Sequence, residues 1–286
     1  MKYNKTHFTF TGQENPELEE SDVLILPVPY DCTASYNSGS KKAPRAIINA
    51  SAEMEFFDLE TKRDVSSKIH TLPEVFPSCK SPERMSQVIE GIFDQILALK
   101  KFPVMIGGDH SVSIGAIRAM SKAHKNLSVV QIDAHLDLRD EYQESKYSHA
   151  CTMRRIREIG CDAVQVGIRT ASEEEMGYVT EQKIENSIFF EKISENDVDR
   201  IVDAIKNNDV YITIDVDGFD ASVFPGTGTP EPDGISWSAA MKLFRAIFRK
   251  KNVVGFDIVE VKPQCCTTIS EDNAARMIYK LVSYKL

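Results

Sequence analysis

The sequence predicts an α/β protein, a mostly parallel central sheet with helices over both faces. Two observations carry the prediction. Apolar, β-rich runs alternate with stretches of helical character along nearly the whole chain, as expected when each strand returns to the sheet through a helix. No repeat, low-complexity tract or long Pro/Gly/Ser linker divides the 286 residues, a length that α/β folds routinely close around one core. A single domain over 1–286 is therefore expected.

Taken in order, Met1–Pro16 is polar and reads as a loose N-terminal arm. Asp22–Val28 is the first strand, rich in Val, Leu and Ile, and Ser51–Pro82 reads as an irregular or hairpin-like excursion. A helix follows over Ser81–Leu99, then a strand over Pro103–Ile106, a helix opened by Ser111 and running to His124, and a strand over Leu127–Ile132. The second half repeats the pattern, with strands at Ala163–Val166, Ser187–Phe190, Asp209–Val216 and Asn252–Val259. Between and after them come helices at Glu173–Ile184, Glu195–Lys206 and Ser236–Phe248, and a terminal helix from near Glu271. Several helix starts carry Ser or Asn, whose side chains can accept from the free N–H groups of a first turn.

A formal charge of −9 argues against general binding to nucleic acid or membrane surfaces and suits a cationic small molecule. No run approaches the eighteen or so apolar residues of a membrane span, and the N-terminus lacks the regions of a signal peptide, so a cytoplasmic protein is expected. Cys32, Cys79, Cys151, Cys161, Cys265 and Cys266 show neither paired-ligand spacing nor the density of a disulfide scaffold, and free thiols are expected. Cys151 lies near the chemistry below, yet no local signal marks it as a nucleophile.

The most informative stretch runs from Ser128 to Asp137. An apolar strand ends by presenting Asp133, His135 and Asp137 at alternate positions, so three ligand-type side chains share one face about 7 Å apart, and a slight bend aims them at one point. A solvated strand rim explains one acid better than it explains Asp-x-His-x-Asp after a buried strand. In open α/β sheets, sites form at the carboxyl ends of strands, and two further strand exits supply partners. Gly107-Gly108-Asp109-His110-Ser111 allows a tight turn, and Asp215-Val216-Asp217-Gly218-Phe219-Asp220 again places two carboxylates on one strand face. Two imidazoles and four carboxylates suffice for a pair of divalent ions if some carboxylates bridge, and an oxygen-rich set suits manganese better than zinc. Two ions about 3.5–4 Å apart hold a water, lower its pKa and supply hydroxide at neutral pH. A single magnesium or zinc also satisfies the spacing.

These residues resemble the ureohydrolase family of arginases and agmatinases, most closely the agmatinases. The resemblance rests on the two exits above, Asp133-Ala134-His135-Leu136-Asp137, Gly226-Thr227-Gly228-Thr229-Pro230-Glu231-Pro232 and Asp257-Ile258-Val259-Glu260-Val261-Lys262-Pro263. With the weaker Gly39–Ile47 segment, the motifs span most of the chain. The resemblance implies a three-layer α/β/α, arginase-like fold, two Mn2+ ions per subunit, hydrolysis of a guanidino substrate to urea and an amine, and a homo-oligomer, trimer or hexamer. It implies that His110, Asp133, Asp137 and Asp215 bind one ion and His135, Asp133, Asp215 and Asp217 the other. Asp137 would also accept from the attacking hydroxide, Glu260 would grip the guanidinium, and His149 would shuttle a proton to the leaving amine. Asp109 and Asp257 would orient ligands or cap nearby backbone.

Substrate choice is expected in Leu138–Lys146, which differs from the Asn/Ser-containing loop of arginases. Asp140, Glu141 or Glu144 would attract the amine of agmatine, whereas Arg139 or Lys146 would favour 4-guanidinobutyrate. Departures from the family pattern at Ala221, Asp233, Lys262 and Gly39–Pro44 bear on loop shape and remove no ligand. Agmatine hydrolysis to putrescine and urea is the leading expectation. Arginase, guanidinobutyrase and aminopropylagmatine ureohydrolase are its neighbours, a metal-binding member without turnover is a reading of a different class, and deacetylase-like amide hydrolysis is more remote.

Overall fold

The computed structural model describes residues 8–190 and 193–286. Its centre is an eight-stranded sheet built from β1 (Val23–Pro27), β2 (Ile69–Thr71), β3 (Phe102–Ile106), β4 (Leu127–Ile132), β5 (Asp162–Ile168), β6 (Ile188–Phe190), β7 (Asp209–Asp215) and β8 (Asn252–Val259). The strand order is β2-β1-β3-β8-β7-β4-β5-β6, and every pairing is parallel. The sheet is thus entirely rather than mostly parallel.

Among the described residues seven α-helices connect successive strands, α1 (Ala43–Ser51), α2 (Pro82–Ala98), α3 (Val112–Ala123), α4 (Thr152–Glu158), α5 (Glu173–Gln182), α6 (Val198–Ala204) and α7 (Trp237–Lys250), and α8 (Ile269–Lys285) follows the last strand. Alternation along the strands sorts them into two layers. Val23 and Ile25 of β1 join the core with Ile47 of α1, Ile201 of α6, Phe244 of α7 and Ile278 of α8. Leu24 and Leu26 point the other way, with Ile89 of α2, Ile117 of α3, Ile156 of α4 and Val179 of α5. Burial on both faces explains why these strands read as continuous apolar runs rather than as alternating ones.

Three short elements depart from the sequence reading. The excursion 51–82 contains β2, which pairs with β1 through only three residues, and a hairpin-like bridge joins Asp58 to Arg63. α1 carries Pro44 in its first turn, where a missing N–H costs nothing, so a residue that reads as a breaker helps to open the helix. α4 has only seven residues. The arm expected over Met1–Pro16 lies outside the described residues as far as His7. Beyond that point it is tethered rather than loose: Phe10 is buried, and the N–H groups of Phe10 and Thr11 donate to Thr71 Oγ1 and Ser51 Oγ at 2.8 and 2.9 Å.

Caps appear where the sequence places them for α2, α5 and α7, with Ser81, Ser172 and Ser236 accepting from first-turn N–H groups. Ser111 precedes α3 but does not cap it; its hydroxyl donates to Asp109. The strand order matters most for function. β3, β8, β7 and β4 are four adjacent strands in level register, with Ile106 beside Ile258, Ile258 beside Ile214 and Ile214 beside Ile132. Segments far apart in the chain therefore end side by side, at the place where the strand order departs from the chain order.

Candidate metal centre

Each of those four strands delivers one part of the site. After β3, the chain turns at Gly107-Gly108, where a Cβ on Gly108 would lie 1.9 Å from Tyr30 O, so only glycine permits this approach. After β7, a Cβ on Gly218 would lie 2.6 Å from Asp133 N, which brings the β7 and β4 exits into contact. Asp137 and Glu260 both adopt left-handed backbone, φ 52° and 62°, a conformation uncommon outside glycine and one that redirects the side chain at a strand end.

The six expected ligands come together in two overlapping groups. His110 Nδ1 lies 3.1 Å from Asp133 Oδ2, 3.0 Å from Asp137 Oδ2 and 3.3 Å from Asp215 Oδ2. His135 Nδ1 lies 3.1 Å from Asp217 Oδ2 and 3.5 Å from Asp133 Oδ1. Asp133 therefore offers one oxygen to each imidazole, and its side chain is shared by the two clusters with metal-binding geometry, His110–Asp133–Asp137 and Asp133–His135–Asp217.

Electrostatics and hydrogen bonding both fit a cation. His110 Nδ1 is buried without a directed hydrogen bond, while Nε2 sits 2.9 Å from Thr213 Oγ1, which donates to Asp257 Oδ1 at 2.7 Å. That chain fixes the tautomer and leaves the Nδ1 lone pair aimed at the carboxylates. Burial, with repulsion from Asp133, pushes the Asp137 carboxyl up to about 7, and burial with Asp217 and Asp133 pushes Asp215 well above the carboxylate range. Burial opposes ionisation of Asp133 too, yet without a metal the His110 and His135 rings take up protons and hold it below that range. Such a site gathers protons unless a cation takes their place. Four carboxylates and two imidazole nitrogens form the donor set of a hard or borderline divalent ion.

Glu260 is buried, not an exposed strand-end glutamate. Its Oε1 accepts from His110 N at 2.8 Å, and burial with nearby Asp109 raises its carboxyl well above the usual range. His149 reaches the site on the turn before α4. Its N–H donates to Thr33 Oγ1 at 3.0 Å, its ring lies edge-on to Tyr142 with centroids 5.9 Å apart, and burial lowers its pKa. Asp109 caps backbone, accepting from the N–H of Thr33 and of Ser111, and thereby fixes the Thr33 hydroxyl that holds His149. Asp257 reaches the candidate ligand His110 through Thr213. Cys151 is buried with its thiol pushed up to about 12, as suits a packed residue.

His135, Asp137, Arg139, Tyr142, His149 and Thr229 line a cavity of about 260 Å³ beside the ligands. Glu83, Glu141 and Glu144 face a second hollow, of about 780 Å³, which shares Tyr142 with the first. A hollow of about 800 Å³ around Arg45, His70 and Glu74 contains none of the site residues. In the 138–146 loop, Asp140 is engaged by Arg155 at 2.7 Å and Lys146 at 3.2 Å, so it anchors the loop rather than facing a substrate.

Sequence reasoning missed the groups that hold the ligands. Gln131 Nε2 donates to Asp133 Oδ2 at 2.6 Å, and Thr229 Oγ1 donates to Asp217 Oδ2 at 2.9 Å. Thr213, Thr33 and Arg169 belong with them. A polar residue inside an apolar strand, as at Gln131 and Thr213, was the one available signal.

The arginase family model matches residues 21–283. The chain belongs to the arginase family. Within that family it is 35% identical over 276 residues to an N(1)-aminopropylagmatine ureohydrolase of Synechocystis sp., covering 93% of this chain and 89% of the relative. It is 34% identical over 254 residues to an agmatinase of Bacillus subtilis, covering 87% and 86%. The crystal structure of the agmatine ureohydrolase of Thermoplasma volcanium superposes with a TM-score of 0.85 at 30% identity, covering 100% of this chain and 95% of that one. The three-layer, arginase-like fold is shared throughout.

Proposed function

We propose that this chain is a manganese-dependent ureohydrolase that converts a linear guanidino substrate to urea and an amine, with agmatine, giving putrescine, as the leading substrate. The observation that carries the proposal is the Asp133 carboxylate, which turns one oxygen toward His110 and the other toward His135. A single-ion site has no need of that arrangement. His110, Asp133, Asp137 and Asp215 would hold one ion, and His135, Asp133, Asp215 and Asp217 the other. Two such ions, when bound, lower the pKa of a water and supply the nucleophile at neutral pH.

The remaining roles fall to protein groups. With Oε1 tied to His110 N, Glu260 keeps Oε2 for charge-assisted hydrogen bonds to the guanidinium, which orient its carbon. Asp137 would accept a hydrogen bond from the O–H of the attacking nucleophile, and His149 would give a proton to the departing amine nitrogen, which leaves poorly without one. His149 opens onto the cavity, so solvent can restore that proton.

Aminopropylagmatine is the second reading, favoured by the outer hollow, where Glu83, Glu141 and Glu144 surround space for a longer cationic tail. Guanidinobutyrate is less well served. Arg139 lines the inner cavity, but it stacks on Tyr142 and lies 3.9 Å from Glu174, so its charge is partly met. A cytoplasmic homo-oligomer, trimer or hexamer, making polyamine precursors completes the reading. Free cysteines are compatible with a reducing compartment, and light scattering measures the assembly. Urea release from agmatine, aminopropylagmatine, arginine and 4-guanidinobutyrate after manganese loading tests the activity. Metal-replete protein that releases no urea from any of them overturns it.

A further inference from the structure

Arg169 stands just beyond β5, outside the four strand exits that build the site. Its guanidinium is directed at main-chain carbonyls. Nε donates to Pro232 O at 2.8 Å, Nη1 to Gly167 O at 3.0 Å and Gly218 O at 3.2 Å, and Nη2 to Asp217 O at 2.6 Å and Glu231 O at 3.0 Å, with Phe219 O at 3.5 Å. A guanidinium carries five N–H donors in a planar fork, and five of these six carbonyls lie within 3.2 Å of it.

The backbone of the same residue works on the neighbouring exit. The N–H groups of Arg169 and Thr170 both donate to Ala134 O, at 2.9 and 3.1 Å, and His135 pairs with Thr170 in a parallel bridge. One residue thus holds the segment that carries His135 through its main chain and the turn that carries Asp217 through its side chain. It also holds Glu231 and Pro232, in the loop whose Thr229 donates to Asp217 Oδ2. These are the two ligands that belong to the outer ion alone. The inner group is held by other means: His110 by Thr213 and Asp257, and Asp137 by the N–H of Arg154, which donates to its carbonyl at 3.0 Å.

We propose that Arg169 is the positioning residue that assembles the outer metal site, so that altering it empties the His135–Asp217 site while the His110 site keeps its ion. The inference rests on the two-ion reading above. Lysine keeps the charge but offers three donors from a single point, too few to span five carbonyls arranged around a plane.

The test is manganese binding by the unaltered chain, Arg169→Lys and Arg169→Ala, measured by equilibrium dialysis with metal analysis. Electron paramagnetic resonance of the bound metal and circular dichroism and melting of the metal-free proteins accompany it. The unaltered chain is expected to hold two ions with the spectrum of a coupled pair. Arg169→Lys is expected to keep its secondary structure and one tightly held ion, with the spectrum of isolated manganese and affinity for the second ion lowered about 10- to 100-fold. Arg169→Ala is expected to weaken the second ion further while keeping the first. Two ions held with unchanged affinity, or both ions lost together from a folded variant, overturns the proposal. So does failure of both variants to fold, because Arg169 would then serve the whole fold rather than one site. Fewer than two ions in the unaltered chain is a different failure, that of the two-ion reading itself.

Discussion

The two halves of the metal centre, which share Asp133 and Asp215 in the two-ion reading, differ in how their remaining groups are held. The inner half, whose own groups are His110 and Asp137, is buried, and side chains that rise from the sheet support it: Thr213 on β7 and Asp257 on β8. The outer half has a His135 side chain that is 26% exposed, and it is held by main-chain carbonyls of loops gathered around Arg169. The inner half inherits its geometry from the rigid core. The outer half is put together from segments that have to be tied to one another, next to the cavity that would receive the substrate.

The most drastic way to break the comparison is to remove one of the two carboxylates the halves share. Asp133→Ala is expected to lose both ions and reduce urea production by three orders of magnitude or more, since two-ion activation is worth several kcal/mol at about 1.4 kcal/mol per decade. Normal metal content in that variant, measured by elemental analysis, refutes the bridging role. Next, His149→Asn is expected to leave both ions bound while lowering kcat roughly 10²- to 10⁴-fold, the usual worth of a positioned proton donor. An unchanged rate removes the proton-shuttle role.

Thr213→Val addresses the inner half alone. It deprives His110 Nε2 of its acceptor and Asp257 of a donor, each costing about 1–3 kcal/mol if left unpaired, and should weaken the inner ion about 10- to 100-fold. Equal weakening of both ions would show that the halves are not independently supported. The smallest effect is expected far from the site, where Lys280 Nζ lies 2.8 Å from both Asp58 and Glu60. Burial opposes ionisation of these two acids, but Lys280 holds both below their ordinary pKa. Because their folded-state values are depressed, the stabilisation is present above the unfolded carboxylate pKa, about 4, and is lost as pH falls through the folded values. Lys280→Met should therefore lower the melting temperature at neutral pH by a few degrees, for up to about 1 kcal/mol. The difference should shrink in acid, and both metal affinities should stay as they were.

The same contrast marks what the sequence discloses. All six candidate ligands were legible, because the side-chain period of a strand makes Asp133, His135 and Asp137, or Asp215 and Asp217, share a face, and because motifs at strand ends converge in a parallel sheet. The supports of the inner half left a faint trace: Thr213 and Gln131 are polar residues within apolar strands. Those of the outer half left none, since the bonds from Arg169 go to carbonyls, which every residue possesses. The left-handed backbone of Asp137 and Glu260 is equally silent, being imposed by surroundings rather than by residue type. In the fold, the long elements were recovered, and so were the brief β6 and α6, whereas β2, α4 and α1 were not. Pro44 disguises the start of α1.

The position of β8 bears on how the molecule is made. It is the last strand in the chain, yet it lies between β3 and β7, which carry His110 and Asp215 on their exits. Until the chain has been synthesised through Val259 and β8 has entered the sheet, those two ligands have no framework to bring them together. Closure of such long-range pairings is entropically costly and slow. Completion of the inner site therefore belongs at the end of folding, whereas the groups of the outer site lie on the exits of β4 and β7, which pair directly and do not wait for β8. Metal supplied to the finished fold stabilises it by mass action.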